Sequence, residues 1–279
     1  MDIVSAVIFG IIQGATEFIP VSSSAHLALL HDFFGLIEQD AYPGFDVALH
    51  AGTLIAVLTA YRKDVPGLFA GLFTAPPKLL KNRSSSGILS RDEKTACFAV
   101  IATLPAVAAA LAGAGKLSDV IALYPAAIGA LLILNGLILL IPDGYAGRGT
   151  GADGIKPYHA LGVGLFQAAA VVPGLSRSGM TVTGGVLCGI ELSEAVRLSF
   201  ITSIPAVLGA CVLKLPEAFA SAPSPAGYAV YAAGFCASTA AGLLAIGLIR
   251  FISEKSRFRY FSIYCFAVGS YALYRGLHG

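Results

Sequence analysis

Along the chain, long apolar runs alternate with short polar breaks. Six runs reach about 18 residues or more, enough for a helix to cross the roughly 30 Å hydrocarbon core of a bilayer. They lie near 45–61, 95–113, 119–141, 194–213, 226–249 and 260–277. Two further stretches, 3–34 and 158–190, are apolar at both ends but interrupted in the middle by Pro, Ser, Gly and charge. The pattern predicts an all-α polytopic membrane protein with six transmembrane helices and two broken elements. Irregular backbone at membrane depth survives where protein buries it or where it lines a wet cavity, which suits a re-entrant helix-loop-helix for each broken stretch.

Composition agrees with this class. Of the 279 residues, 56% are hydrophobic and 12% charged, about half the charged share of a soluble domain, and the mean hydropathy is +0.79. A net charge of +2 gives no reason to expect a nucleic-acid partner. The five cysteines (Cys97, Cys188, Cys211, Cys236 and Cys265) are scattered through apolar segments with no CxxC pair and read as small buried hydrophobes. The first residues carry an acid and no basic region ahead of the apolar run, so the opening segment reads as part of the mature fold rather than a removable signal.

Charge also sets the topology. Thirteen of the 18 Lys and Arg fall in three connections, 62–94, 142–157 and 250–259, and the positive-inside bias puts all three in the cytoplasm. A single crossing by 158–190 would carry the last of these to the outside, so that stretch must enter and leave on one side. The first broken stretch matches it in order: Gly10-Ile-Ile-Gln13 then Pro20-Val-Ser22-Ser23-Ser24, against Gly164-Leu-Phe-Gln167 then Pro173-Gly-Leu-Ser176-Arg177-Ser178. Each half then holds one re-entrant element and three spans. An odd number of crossings inverts the second half, giving inverted repeats over 1–141 and 158–279 whose broken elements meet near the midplane. The polar link 78–94 reads as a solvated cytoplasmic loop.

Ionisable groups inside apolar segments cost about 2.5–3.5 kcal/mol each at a helix centre, and here they concentrate in the two breaks. Gln13 and Glu17, four residues apart, share a helix face ahead of Ser22, Ser23, Ser24 and His26. The second break supplies Ser176, Arg177, Ser178 and Thr181. Both read as helix starts, whose free N–H groups and positive dipole end suit a phosphate. Arg177 adds a fork of donors for phosphate oxygens. Glu17 needs a counter-charge, which a divalent cation shared with a diphosphate would supply. A serine nucleophile needs a base, and His26 lies within a helical turn of Ser23. Blander roles stand beside these: serines that only cap helices, an arginine that only neutralises Glu17, a histidine that only donates to a buried carbonyl. Asp46 and His50 read as cavity-rim or helix-end residues. The Gly10/Gly14 spacing and the Gly184, Gly185, Gly189 group predict close helix packing.

The run from Gln13 through Glu17 and Ser23 to His26, the run from Pro173 through Arg177 to Thr181, and the segment Phe45-Asp-Val-Ala-Leu-His50 together resemble the undecaprenyl-diphosphate phosphatase family of the bacitracin-resistance type. The resemblance extends along the whole chain. It implies a multi-pass enzyme of the bacterial plasma membrane that hydrolyses undecaprenyl diphosphate to undecaprenyl phosphate and inorganic phosphate. That reaction recycles the lipid carrier for cell-wall synthesis and underlies bacitracin resistance.

By motif position the resemblance makes Glu17, Ser23, His26 and Arg177 the essential residues. Ser22, Ser24, Ser176, Ser178 and Thr181 are then expected around the phosphates, and Mg²⁺ or Ca²⁺ is the expected cofactor. Glu17 and Gln13 are the ligands the resemblance implies for it, and because many members carry Glu where Gln13 stands, this chain has one anionic ligand fewer. The expected partners are the polyprenyl diphosphate lipid and the bilayer, with a homodimer among the oligomeric states left open. The competing class is a transporter or flippase of a polyprenyl phosphate lipid, because inverted repeats with broken helices recur in carriers.

Overall fold

The computed structural model describes residues 1–34, 44–81, 89–145, 147–220 and 225–278. Among them run twelve α-helices and no strand: α1 Ile3–Phe18, α2 Ser23–Phe34, α3 Phe45–Ala60, α4 Val65–Lys81, α5 Arg91–Leu111, α6 Ala114–Ala122, α7 Pro125–Ile138, α8 Pro157–Ala169, α9 Arg177–Leu187, α10 Leu192–Ala220, α11 Pro225–Glu254 and α12 Arg259–His278. Local chemistry sets several boundaries. Ser90 and Glu93 close a reciprocal capping box at the start of α5, and Pro125 starts α7, where its missing N–H costs nothing.

Four segments among the described residues are long and apolar enough to cross a membrane: Arg91–Leu111, Pro125–Tyr145, Leu192–Lys214 and Gly227–Glu254. The all-α polytopic class therefore holds, while the expected set of six spans does so only in part. The 45–61 run forms a helix of 16 residues, about 24 Å at 1.5 Å per residue. The 260–277 run forms a helix of 20 residues, with Tyr, Ser, Gly and Arg275 lowering its apolarity. The run near 119–141 is interrupted by an extended Tyr124 before Pro125, so α6 is a separate short helix.

The 62–94 connection is also more than a loop, since α4 occupies its first part and packs on α5, burying Leu68 and Ala75. Most of the polar run beginning at Lys81 lies outside the described residues.

Packing follows the glycines. Helix α11 lies against both α1 and α3, α5 against α8 and α10, and α7 against α12. A Cβ on Gly14 would meet the Ser238 carbonyl oxygen at 2.3 Å, and one on Gly10 the Gly234 oxygen at 2.5 Å, so backbones touch where the GxxxG spacing predicts. Gly184 and Gly185 likewise admit Phe166 and Ala195. Gly189 differs from that expectation: nothing lies near its missing Cβ, and its φ of +92° ends α9 in a left-handed turn. The main core gathers Phe18, Phe200, Ile201 and Ile246 beside the two breaks. Of the cysteines, Cys211 and Cys265 are buried as expected, Cys97 and Cys188 are partly covered, and Cys236 is exposed on α11.

Candidate active site

The two breaks form by parallel means. Pro20 disfavours helical backbone at the residue before it, so Ile19 turns extended (ψ 134°) and α1 ends at Phe18. Ser22 then takes a left-handed φ of 71° before α2 starts at Ser23. In the second break the left-handed residue is Gly174, with φ +107°, where a side chain would strike Leu131. Ser176 follows as the N-cap of α9, its hydroxyl accepting from the Gly179 N–H at 3.2 Å.

The breaks touch directly. The Gly174 N–H donates to Ser22 Oγ at 3.1 Å. Asn135 of α7 joins them a second time: its amide nitrogen donates to the Pro20 carbonyl at 2.9 Å, and its oxygen accepts from the Ser176 N–H at 3.0 Å. Asn135 is fully buried. Sequence reading passed over it, although a lone Asn in an apolar run was a signal that some buried polar group needed it.

Across this junction an acid meets a base and a hydroxyl. Glu17, from the end of α1, receives Arg177 Nη2 on Oε1 at 2.5 Å. Its Oε2 accepts the Ser23 hydroxyl at 2.8 Å and the Gln13 amide at 3.1 Å. The Gln13 amide nitrogen also lies 3.1 Å from His50 Nδ1. Arg177 and Gln13 thus orient the Glu17 carboxylate, and the Ser23 hydroxyl donates to it. Two buried polar atoms beside it have no hydrogen-bond partner, Gln13 Oε1 and Arg177 Nη1.

A cavity of about 460 Å³ opens over this cluster, with Glu17, Ser23, His50 and Arg177 in its wall. Ser22, Ser24 and Ser176 also line it. Ser178 and Thr181 do not reach it. Ser178 Oγ pairs with Ser176 Oγ at 3.1 Å, and Thr181 Oγ1 pairs with the Arg177 carbonyl and with Ser199, so both brace α9 from inside.

His26 departs further from expectation. One ring nitrogen lies 2.8 Å from the Ser22 carbonyl oxygen and the other 2.8 Å from the Tyr264 hydroxyl, with the two rings stacked. It lines a different, apolar cavity with Tyr260, Phe261 and Tyr264. The helical turn that brings it near Ser23 in sequence points its ring the other way, and the group at hydrogen-bond distance from the Ser23 hydroxyl is Glu17.

Among the described residues no group of three or more His, Cys, Asp or Glu is placed to hold a metal. The donors present are oxygens: the Glu17 carboxylate, the unpartnered Gln13 Oε1 and the Ser23 hydroxyl. Hard oxygen donors of this kind fit Mg²⁺ or Ca²⁺ provided that phosphate oxygens and water complete the shell.

The site stands on a sequence with many relatives. A model of the family described as Bacitracin resistance protein BacA matches residues 6–271. An undecaprenyl-diphosphatase of Rubrobacter xylanophilus is 38% identical over 275 residues, 97% of either chain. Proteins of the same name from Desulfosudis oleivorans, 33% identical over 99% of this chain and 100% of that one, and from Methanobrevibacter smithii, 35% identical over 96% of each, are similar as well. With nearly its whole length matched, this chain belongs to the Bacitracin resistance protein BacA family.

Proposed function

We infer that this chain is an undecaprenyl-diphosphatase that removes the terminal phosphate of undecaprenyl diphosphate in the bacterial plasma membrane, returning the monophosphate carrier to cell-wall synthesis. Family membership and the name shared by its relatives support the reaction. The observation that carries the mechanism is the hydrogen bond from the Ser23 hydroxyl to a Glu17 carboxylate already engaged by Arg177.

In the proposed reaction Ser23 Oγ attacks the terminal phosphorus as its proton passes to Glu17 Oε2. The bond from phosphorus to the bridging oxygen breaks, and its electron pair leaves on the prenyl monophosphate. A water oxygen then bonds to phosphorus as the bond from phosphorus to Ser23 Oγ breaks, Glu17 returns its proton to the departing Oγ, and both protons of the water leave on inorganic phosphate. Arg177 engages Glu17 through Nη2 and has Nη1 for the transferring phosphoryl, whose spread charge is the main thing to be stabilised. Ser22, Ser24 and Ser176 supply hydroxyl donors around it. Glu17, Gln13 and Ser23 would hold a divalent cation that, when bound, draws charge from the phosphate oxygens as a Lewis acid. His26, tied to Tyr264, serves as a positioning residue for the Ser22 turn.

The inverted repeat is part of this reading. Its support is a pairing pattern that survives exchange of the halves: α1 on α11 corresponds to α8 on α5, α3 on α11 to α10 on α5, while α3 on α10 and α7 on α12 correspond to themselves. With the basic connections inside, the cavity wall formed by Gly115, Ser118, Asp119 and Lys214 faces the outer side.

Purified protein in detergent, with no gradient, should release inorganic phosphate from a prenyl diphosphate, and substitution of Ser23 by Ala should abolish the release. Absence of release from folded wild type would favour a lipid flippase instead. A single cysteine at position 255, in a background lacking the native five, should label only from the cytoplasmic side. Labelling from outside would overturn the topology.

A further inference from the structure

The cavity is electrically balanced before substrate arrives. Two carboxylates line it, Glu17 and Asp119, and two cationic side chains, Arg177 and Lys214. A prenyl diphosphate brings one or more negative charges on each of its phosphates. One guanidinium nitrogen of Arg177, Nη2, is bound to Glu17, and the buried, unpartnered Nη1 is left for the transferred phosphate. The phosphate that stays on the lipid has no cationic side chain in that account.

We propose that Lys214 holds this second phosphate, the leaving group of the reaction proposed above. Val207, Ala210 and Lys214 follow the spacing of one helix face on α10, and all three line the cavity. Lys214 is therefore on the stripe that faces the site. Its present partner holds it weakly: Nζ lies 3.6 Å from Asp46 Oδ2, beyond hydrogen-bond length, and the lysine side chain is 48% exposed. A flexible stem with a compact charge can leave Asp46 and follow an oxygen as charge develops on it, whereas the fixed fork of Arg177 suits the phosphoryl that must be held in place. The two cations then divide the diphosphate between them, Arg177 on the side of bond formation and Lys214 on the side of bond cleavage.

The assignment rests on the phosphatase reading, and its test separates the two. Wild type, Lys214→Gln, Lys214→Arg and Asp46→Asn would be purified in detergent and assayed on farnesyl diphosphate, with farnesyl monophosphate and orthovanadate as competing inhibitors. The monophosphate reports the leaving-group subsite, and vanadate the shape of the transferring phosphoryl. Lys214→Gln should weaken inhibition by the monophosphate about tenfold and leave vanadate inhibition unchanged. Lys214→Arg should restore most of the monophosphate binding, and Asp46→Asn, which frees the lysine, should tighten it. Equal weakening of both inhibitors, or no weakening of either in an active Lys214→Gln enzyme, would overturn the assignment while leaving the phosphatase reading in place. Wild type that releases no phosphate would overturn both.

Discussion

The two breaks share a layout and divide the chemistry. In the second, the hydroxyl of Ser176 caps its own helix through the Gly179 N–H, and α9 from Ser178 to Val186 is wholly buried. In the first, the hydroxyl of Ser23 goes instead to Glu17. Four residues past Gln13 stands Glu17, and four past Gln167 stands Val171, so only the first break has an acid where its helix ends. One break thus presents the acid and the proposed nucleophile, and the other a braced helix start carrying Arg177. A repeated frame can keep one copy as scaffold while the other takes reactive groups, provided that the copies meet.

Substitutions at matching places sharpen that division. Ser23→Ala should lower turnover by about a thousandfold or more, as loss of an activated nucleophile does, while Ser176→Ala should cost about 1 kcal/mol of stability, the usual worth of an N-cap, with a small loss of rate. Phosphate release and thermal unfolding measured on both variants check this, and comparable losses of rate would erase the distinction. Arg177→Ala removes one partner of a buried charge contact, commonly about 2–5 kcal/mol, which is roughly 30-fold to several-thousand-fold in rate. Arg177→Lys should recover little of it, because the two-pronged geometry is lost. Near-normal turnover of either would break the shared site.

Much of this was legible in the sequence. Buried charge is expensive in an apolar segment, so Glu17 and Arg177 announced themselves, and Pro20 and Pro173 marked where the helices break. Other features were not legible. A histidine three residues from Ser23 shares its helical turn, yet ring direction depends on the neighbour across the bundle, here Tyr264 of α12. The modest reading of His26, donation to a buried carbonyl, matches its contact with the Ser22 carbonyl oxygen. Likewise Glu17, whose counter-charge was sought in a metal, is paired with Arg177, the blander role allowed for that arginine. Asn135 went unnoticed because its partners lie 115 residues before it and 41 residues after it in the chain. The short span at 45–60 and the separate α6 depend on local interruptions that a hydropathy run averages away.

Smaller effects probe the junction. Asn135→Leu strands the Ser176 N–H and the Pro20 carbonyl, at about 1–3 kcal/mol for each unsatisfied group, and should reduce both unfolding temperature and rate. Asn135→Asp, which still accepts from Ser176, should be milder in both assays. Gln13→Glu adds a carboxylate beside Glu17 and should lower the concentration of Mg²⁺ or Ca²⁺ that restores a chelated enzyme. Full activity after exhaustive chelation would remove the cation from the account.

The central claim is that Glu17 from one break and Arg177 from the other act as a single unit on one phosphate. A double-mutant cycle in kcat/KM for prenyl diphosphate hydrolysis, using Glu17→Gln and Arg177→Lys, measures that coupling directly. The account predicts that the double variant is little worse than the poorer single variant, because either change already breaks the unit. Losses that multiply, as they do for independent sites, would contradict it.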